Sequence, residues 1–322
     1  MVKRQWGTNF FKNNNQIMKV FRLGFIFSLL ALAGTAFTQT LHKSSDKSLL
    51  WQISGNGLVK PSYLYGTIHM LCKDDAVLSD SLVAAIENTE RVYLEVDMDN
   101  IFEMLGVMKN MKMKNDTTLA DLLSKEDYKK VKEFIESKET MLPFSVLETY
   151  KPMLASSALM ESGLPCGTPV AMEQVIMMEA KQRKKRIEGL ETMAYQMSIF
   201  DSIPYKIQAE QLVKYSTATD DQHTANKEFN EMMEAYKEQD LQKLEVFIKK
   251  SDDGMDKYED MLLNNRNKNW VKKLKIIMHE RPVTIAVGAG HLPGKTGLIE
   301  LLRKEGYTVK PVRNKLPEKN VI

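Results

Sequence analysis

The sequence predicts an α/β (α+β) fold with a mixed, partly parallel central sheet, made by two β-loop-α-β repeats and a large helical insertion. Two similar stretches support this prediction, SYLYGTIHM from Ser62 and TIAVGAGHL from Thr284. Each is an apolar strand that ends in a Gly-x-x-His motif, with a helix and a second strand after it. Because crossovers between parallel strands are right-handed, both repeats fit into one sheet.

The remaining elements follow from the same hydrophobic patterns. An apolar segment at 49–53 predicts an edge strand before the first repeat. Residues from about 101 to 275 have the apolar spacing of helices and are punctuated by prolines, with one short strand predicted at Arg186–Leu190. The elements of the two repeats are predicted at 62–68 (strand), 80–89 (helix), 91–97 (strand), 282–287 (strand), 297–304 (helix) and 307–312 (strand).

Residues 1–38 have the features of a secretory signal peptide. They contain basic but no acidic residues, and their apolar run at Leu23–Ala33 is too short to span a bilayer. Small residues favour cleavage near Thr38–Gln39, and Met18 is a second candidate start. We therefore expect an exported protein, periplasmic or extracellular, with a single domain over 39–322 and no stable membrane anchor after cleavage. An uncleaved membrane anchor is the alternative.

The charge balance argues against a nucleic-acid partner. The formal charge of the whole chain is +3, but all the excess positive charge lies in the predicted signal peptide. A mature protein near neutrality lacks the basic surface that binds phosphate backbones. The expected partner is a peptide or small-molecule substrate, and the sequence predicts no oligomeric state.

The chain contains two cysteines, Cys72 and Cys166. In an exported protein an even number of cysteines permits a disulfide, which here would join the loop after the first motif to the middle of the chain. Two free buried thiols are the alternative.

The motifs Gly66–His69 and Gly288–His291 predict one shared site. Ligands of open α/β sheets bind beyond the carboxyl ends of the strands, where both histidines stand. The glycine that begins each motif lets the backbone turn tightly and leaves room for a ligand to approach. For either histidine taken alone, a hydrogen-bonded structural role is the alternative.

A third strand end contributes acidic residues. Glu95 and Asp97 alternate with apolar residues and are predicted on the polar side of their strand. Glu95 could join the two histidines in a set suited to a divalent ion, or act as the general base that deprotonates water. Solvated acids at the end of a strand are the alternative for both residues.

Three further residues are candidates on weaker patterns. Glu191, with Gln196 after it, could orient a ligand, although a helix beginning after Thr192 explains the same pattern. Arg266 and Asn267 could stabilise an oxyanion or bind a substrate carboxylate. An exposed, charged helix face is the alternative for these two.

Several motifs together resemble a known family. LYGTIH from Leu64, VYLEVD from Val92, GLETMAYQ from Gly189, RNKNW from Arg266 and VGAGHLPG from Val287 occur in the order typical of the TraB/GumN family, over about 48–312. This family is related to the Tiki metalloproteases and, more distantly, to erythromycin-esterase and ChaN-like proteins. The resemblance implies a two-repeat α/β core around a helical insertion.

The resemblance also implies a function and a site. It suggests an exported metal-dependent hydrolase, a Tiki-like peptidase, in which His69, His291 and Glu95 bind a divalent ion (Mn, Co or Zn) and act with Arg266 in catalysis. A non-catalytic ChaN-like protein that binds haem or iron, and a metal-independent esterase with a histidine base, remain alternatives. The residues expected around this centre are Gly66, Gly288, Asp97, Glu191 and Asn267.

Overall fold

The six-stranded sheet at the centre of this protein combines strands from both ends of the chain with one from its middle. The computed structural model describes residues 47–138, 140, 142–162, 166, 169–217, 222–250 and 256–316, so the predicted signal peptide lies outside the described residues. In chain order the described strands are β1 (Leu50–Ser54), β2 (Ser62–Thr67), β3 (Leu71–Cys72), β4 (Arg91–Val96), β5 (Pro169–Val170), β6 (Arg186–Glu191), β7 (Val283–Gly288) and β8 (Thr308–Pro311).

The two repeats interleave in this sheet, whose strand order is β6-β4-β7-β2-β1-β8. Strand β7 of the second repeat lies between β2 and β4 of the first and pairs in parallel with both. Strand β1 is antiparallel to β2 and to β8. The predicted α/β fold with a mixed, partly parallel sheet is therefore confirmed, and most of the strand pairings are parallel.

The prediction that the segment at 49–53 forms an edge strand is wrong. Strand β1 is internal, because β8 pairs with its free side and makes the actual edge. That pairing joins residues about 250 positions apart, so a local sequence pattern cannot predict it. The opposite edge is β6, the one strand predicted inside the helical insertion.

Most of the described residues outside the sheet are helical. In the part of the chain that the structure describes, every helix is too short or too polar to cross a bilayer. The described helices are α1 (Asp80–Asn88), α2 (Ile101–Asn110), α3 (Leu119–Leu122), α4 (Lys125–Glu136), α5 (Phe144–Leu147), α6 (Pro152–Ser162), α7 (Met172–Gln182), α8 (Met193–Ser202), α9 (Tyr205–Thr217), α10 (Gln222–Lys237), α11 (Leu241–Lys250), α12 (Asn265–Glu280) and α13 (Leu298–Lys304).

Helices cover both faces of the central strands. On one face, the hydroxyl groups of Thr284 in β7 and of Thr89, just after α1, share a hydrogen bond with 2.8 Å between the two Oγ1 atoms. On the other face, Arg266 of α12 contacts Glu95 of β4. The face of β4 that was predicted to be its polar side is buried, since Tyr93 is 5% and Glu95 6% exposed, so the alternative of a solvated acid does not hold for Glu95.

The helical insertion has a second apolar core of its own. Helices α3 to α6 and α9 bury aliphatic and aromatic side chains against one another, away from the sheet. The main core instead joins the sheet to α1, α7, α10, α11, α12 and α13. Part of the insertion thus forms a helical layer with a core separate from that of the sheet. Its buried core residues include Leu119, Val131, Ile135, Leu147, Ala155 and Leu212.

A disulfide joins Cys72 to Cys166, with 5.7 Å between their Cα atoms. Beside it, the short strands β3 and β5 pair antiparallel, with Cys72 opposite Pro169. The loop that follows the first Gly-x-x-His motif is therefore fixed to the segment that leads into α7.

We expect the disulfide to stabilise the fold by about 2–4 kcal/mol, because it closes a long loop in the unfolded chain. Urea unfolding of the wild type with and without a reducing agent measures this. A Cys72→Ser/Cys166→Ser double variant should match the reduced wild type and should not respond to reductant. Equal midpoints for oxidised and reduced wild type would contradict the prediction.

Candidate functional site

The carboxyl ends of the parallel strands β2, β4, β6 and β7 meet at one edge of the sheet. A cavity of about 530 Å³ opens there, between the strand ends and the helical insertion. Its polar end contains side chains from both repeats, and its other walls are apolar. The polar residues that line it are Thr67, His69, Glu95, Gln196, Arg266 and His291.

Arg266 is the centre of the polar end and is only 7% exposed. Its Nη2 donates to Glu95 Oε2 at 2.5 Å and to Glu191 Oε1 at 2.7 Å. Its Nη1 donates to the carbonyl of Leu262 at 2.9 Å, in the π-helical turn that leads into α12. Two carboxylates from neighbouring strands thus share one guanidinium, which removes the interpretation of Arg266 as an exposed helix charge.

The helix predicted after Thr192 is present, since Thr192 caps α8, and Glu191, directly before it, is the buried last residue of β6. Besides Arg266, it accepts a hydrogen bond from Trp270 Nε1 at 3.0 Å. Burial raises the pKa of this carboxyl, while the hydrogen bond and charge of Arg266 act against the rise. The parallel pairing of β6 with β4 brings Glu191 to the site, with Val96 as its register partner.

Glu95 is ionised although it is buried. Burial alone would raise its pKa, but His291, Arg266 and the amide of Gly288 overcome this effect and lower the pKa to about 2. The Gly288 N–H donates to Oε1 at 2.8 Å, and Gln196 Nε2 donates to Oε2 at 3.1 Å. The carboxylate is therefore held by donors from three different elements.

His291 is neutral, and its hydrogen bonds fix which nitrogen carries the proton. Arg266 Nη1 can only donate, so Nε2, 3.1 Å away, is the acceptor. The proton is then on Nδ1, which donates to Asn267 Oδ1 at 2.7 Å. Burial lowers the pKa of His291 to about 4. Its Nε2 lone pair lies 3.7 Å from Glu95 Oε1.

His69 stands in a different environment at the mouth of the cavity. Its side chain is 68% exposed, and its Nδ1 lies 2.9 Å from Oε1 of Glu173. The hydrogen bond to Glu173, together with the charge of that carboxylate, raises the pKa of His69 to about 9. The two motif histidines thus line one cavity, and at neutral pH His69 is protonated and charged while His291 is neutral.

The glycines of the motifs provide space rather than a turn. Neither Gly66 nor Gly288 has a positive φ. A Cβ on Gly288 would lie 3.2 Å from Glu95 Oε1, and one on Gly66 would lie 3.1 Å from the Cα of Ala289. Their expected role in a tight turn is therefore wrong, whereas their role in close approach has a structural basis.

Asp97 does not join the other predicted residues. It follows the last residue of β4, and its Oδ1 accepts from the backbone N–H of Asp99 at 3.0 Å, closing a local turn. The cavity lining does not include it. The alternation along β4 placed Asp97 beside Glu95, but the chain leaves the strand before reaching it.

The sequence patterns did not identify Thr67 and Glu173. Thr67 is the last residue of β2 and donates from Oγ1 to Glu173 Oε1 at 2.5 Å. Glu173 lies in the first turn of α7, where an acidic residue is ordinary because of the helix dipole. Nothing local distinguishes it from a solvated helix residue.

The donor types at the site suit a divalent transition metal. Imidazole nitrogen and carboxylate oxygen are preferred ligands, and Nδ1 of His291 is held by a second residue as in known metal sites. Glu95 and Glu191 also share the single positive charge of Arg266, so one more carboxylate than guanidinium is present to attract a cation. Among the described residues, however, no three His, Cys, Asp or Glu side chains lie close enough together to hold an ion.

We expect the metal-free protein to lose stability between about pH 6 and about pH 4.5, because unfolded His291 gains a proton near its ordinary pKa while the folded residue does so only near pH 4. The difference in unfolding free energy between wild type and His291→Gln should fall by about 1 kcal/mol per pH unit in this range. Denaturant titrations with a chelator present measure it, and parallel pH profiles would contradict it.

Comparisons with known proteins agree with the resemblance in the sequence. The chain is 22% identical over 314 residues to "Metalloprotease TIKI2" of Danio rerio, which covers 82% of this chain and 60% of the relative. It is 24% identical over 318 residues to "Metalloprotease TIKI1" of the same organism, covering 83% of this chain and 64% of the relative. With human "Metalloprotease TIKI1" the identity is 22% over 341 residues, covering 86% and 64%.

The chain therefore spans about three-fifths of the length of these relatives. No solved structure matches the chain significantly. The family model of the TraB/PrgY/gumN family matches residues 49–311. That range contains all eight described strands and every polar residue of the cavity, and so the chain belongs to the TraB/PrgY/gumN family.

Proposed function

We propose that this protein is a metal-dependent hydrolase that acts on peptides after export to the periplasm or the extracellular space. One observation carries the proposal: His69, Glu95 and a neutral His291, whose proton is on Nδ1, line the same cavity. The relatives named as metalloproteases support the reaction class. The Cys72–Cys166 disulfide supports an oxidising location.

In this proposal His69, His291 and Glu95 hold a divalent ion, with Mn, Co and Zn as the candidates. When bound, such an ion lowers the pKa of water and polarises a carbonyl group. Arg266 Nη1 has to give up its contact with His291 Nε2 for this nitrogen to bind the ion.

The protein's own residues would orient and balance the centre. Asn267 holds the imidazole of His291 by Nδ1, and its Nδ2 donates to the carbonyl of Thr296 at 2.9 Å. Gly288 and Gln196 hold the Glu95 carboxylate. Arg266 supplies a permanent positive charge beside the cavity, which would stabilise negative charge developing on a substrate oxygen.

The apolar walls suggest which peptides would bind. They come from α6, α8, α10, α11 and the turn before α12, so side chains of the helical insertion would determine which substrate side chains fit into the cavity. A cavity with one polar end and apolar walls fits a peptide whose side chain next to the reacting bond is large and apolar. The apolar lining residues are Leu154, Met197, Ile199, Phe200, Met232, Leu244, Leu262 and Leu263.

Metal-independent hydrolysis is the second candidate, because a neutral His291 beside a carboxylate can act as a base without an ion. Once Arg266 Nη1, 3.1 Å away, releases Nε2, this nitrogen would accept a proton from water, and the Glu95 carboxylate at 3.7 Å would stabilise the imidazolium that forms. Resistance of the activity to chelators would favour this candidate over the first.

We expect the purified protein to bind Mn²⁺, Co²⁺ or Zn²⁺ and to cleave peptides only when one of them is present. His69→Ala and His291→Ala should each weaken metal binding and reduce cleavage by at least about 100-fold, since each removes a ligand. Metal analysis and a peptide-library digest with and without chelator test this. His279→Ala, an exposed histidine of α12, is the matched control. Unchanged metal content in both site variants would contradict the proposal.

We expect Leu263→Asp to lower kcat/KM for peptides with large apolar residues by about tenfold or more, because it places a charge in the apolar wall. Metal content should not change. Ile276→Asp, at a position on α12 that is 66% exposed, is the control and should match the wild type. An equal loss for polar and apolar peptides would argue against selection by this wall.

A further inference from the structure

Glu173 is a buried carboxylate whose hydrogen bonds all point toward the first motif. It is 5% exposed, and its Oε1 accepts from Thr67 Oγ1 and contacts His69 Nδ1. Its Oε2 is buried and, among the described residues, is the one buried side-chain oxygen or nitrogen without a hydrogen-bond partner. A fold that needed only a helix residue here would not bury a half-satisfied acid.

The first turn of α7 is fixed to the same motif. The N–H of Met172 donates to the carbonyl of Ile68 at 3.0 Å, so the helix begins directly against the residue before His69. The pairing of β3 with β5 and the disulfide join the same two segments next to this contact, after Ile68 and before Met172. The position of Glu173 relative to His69 is therefore set by backbone contacts, not by flexible side chains alone.

His69 depends on Glu173 for its orientation. Its ring is largely exposed at the mouth of the cavity, so packing does not fix it. With Nδ1 against Glu173, the other nitrogen, Nε2, is the one left for a ligand in the cavity. Asn267 holds Nδ1 of His291 in the same way from the opposite face of the sheet.

We propose that Glu173 is the positioning residue of His69, holding Nδ1 so that Nε2 faces the cavity. This role rests on the proposed function only for its effect on metal binding. The orientation of the ring is a property of the metal-free protein and can be measured by itself. Thr67 in turn holds the carboxylate from the end of β2.

The first measurement is the tautomer of His69 in metal-free protein. Long-range ¹H–¹⁵N spectra above about pH 10, where the imidazole is neutral, show which nitrogen carries the proton. We expect Nδ1–H in the wild type and in Glu173→Gln, which keeps an acceptor in place, and Nε2–H in Glu173→Ala. Glu179→Ala, whose carboxylate on the same helix pairs with Arg183, is the control and should match the wild type.

The second measurement is Co²⁺ affinity. We expect Glu173→Ala to bind Co²⁺ about 10–100-fold more weakly than the wild type, with Glu173→Gln much closer to the wild type and with thermal unfolding recorded for each. The proposal is overturned if Glu173→Ala keeps the wild-type tautomer and affinity, or if the Gln variant is as impaired as the Ala variant. If the wild type binds no Co²⁺, the proposed function fails, and the tautomer still decides the role of Glu173.

Discussion

The guanidinium of Arg266 lies between two buried carboxylates that arrive on adjacent parallel strands, and much of the site depends on this arrangement. Burying Glu95 or Glu191 without a cation would cost several kcal/mol. Placing both at one sheet edge would add their mutual repulsion. Because α12 delivers Arg266 to both acids, strands β4 and β6 can end in carboxylates inside the protein. The same guanidinium fixes His291 by facing its Nε2.

Two histidines in matched sequence motifs have different chemistry because their second partners differ. His291 donates to the neutral amide of Asn267 and is buried, so it loses its charge. His69 has the carboxylate of Glu173 and is exposed, so it keeps its charge. The internal repeat therefore gives the two histidines equivalent positions after their strands but different protonation states. An acid and a base in one cavity are what proton-transfer reactions require.

Local patterns were sufficient for the six strands of the central sheet, for the motif histidines and for the fold class, because hydrophobic periodicity and strand ends are local properties. They did not predict the two-residue strands β3 and β5. They could not show that β1 is internal, since its second neighbour is β8, nor that the second face of β4 is covered. Asp97 shared the alternation of Glu95 but lies beyond the strand. Arg266 needed the family resemblance, because a helical arginine is ordinarily exposed. Glu173 had no signal at all, since its importance comes from tertiary contacts across 106 positions with Thr67.

The interleaving of the two repeats determines when the central sheet can form during synthesis of the chain. Strand β7, near the carboxyl terminus, fills the position between β2 and β4, near the amino terminus. A chain still growing on the ribosome thus lacks the middle of its own sheet, and loop closure over about 200 residues has to precede the pairing. The two Gly-x-x-His motifs cannot meet before residues 288–291 have been synthesised. The site therefore cannot assemble early, and no fragment that ends before β7 can form it.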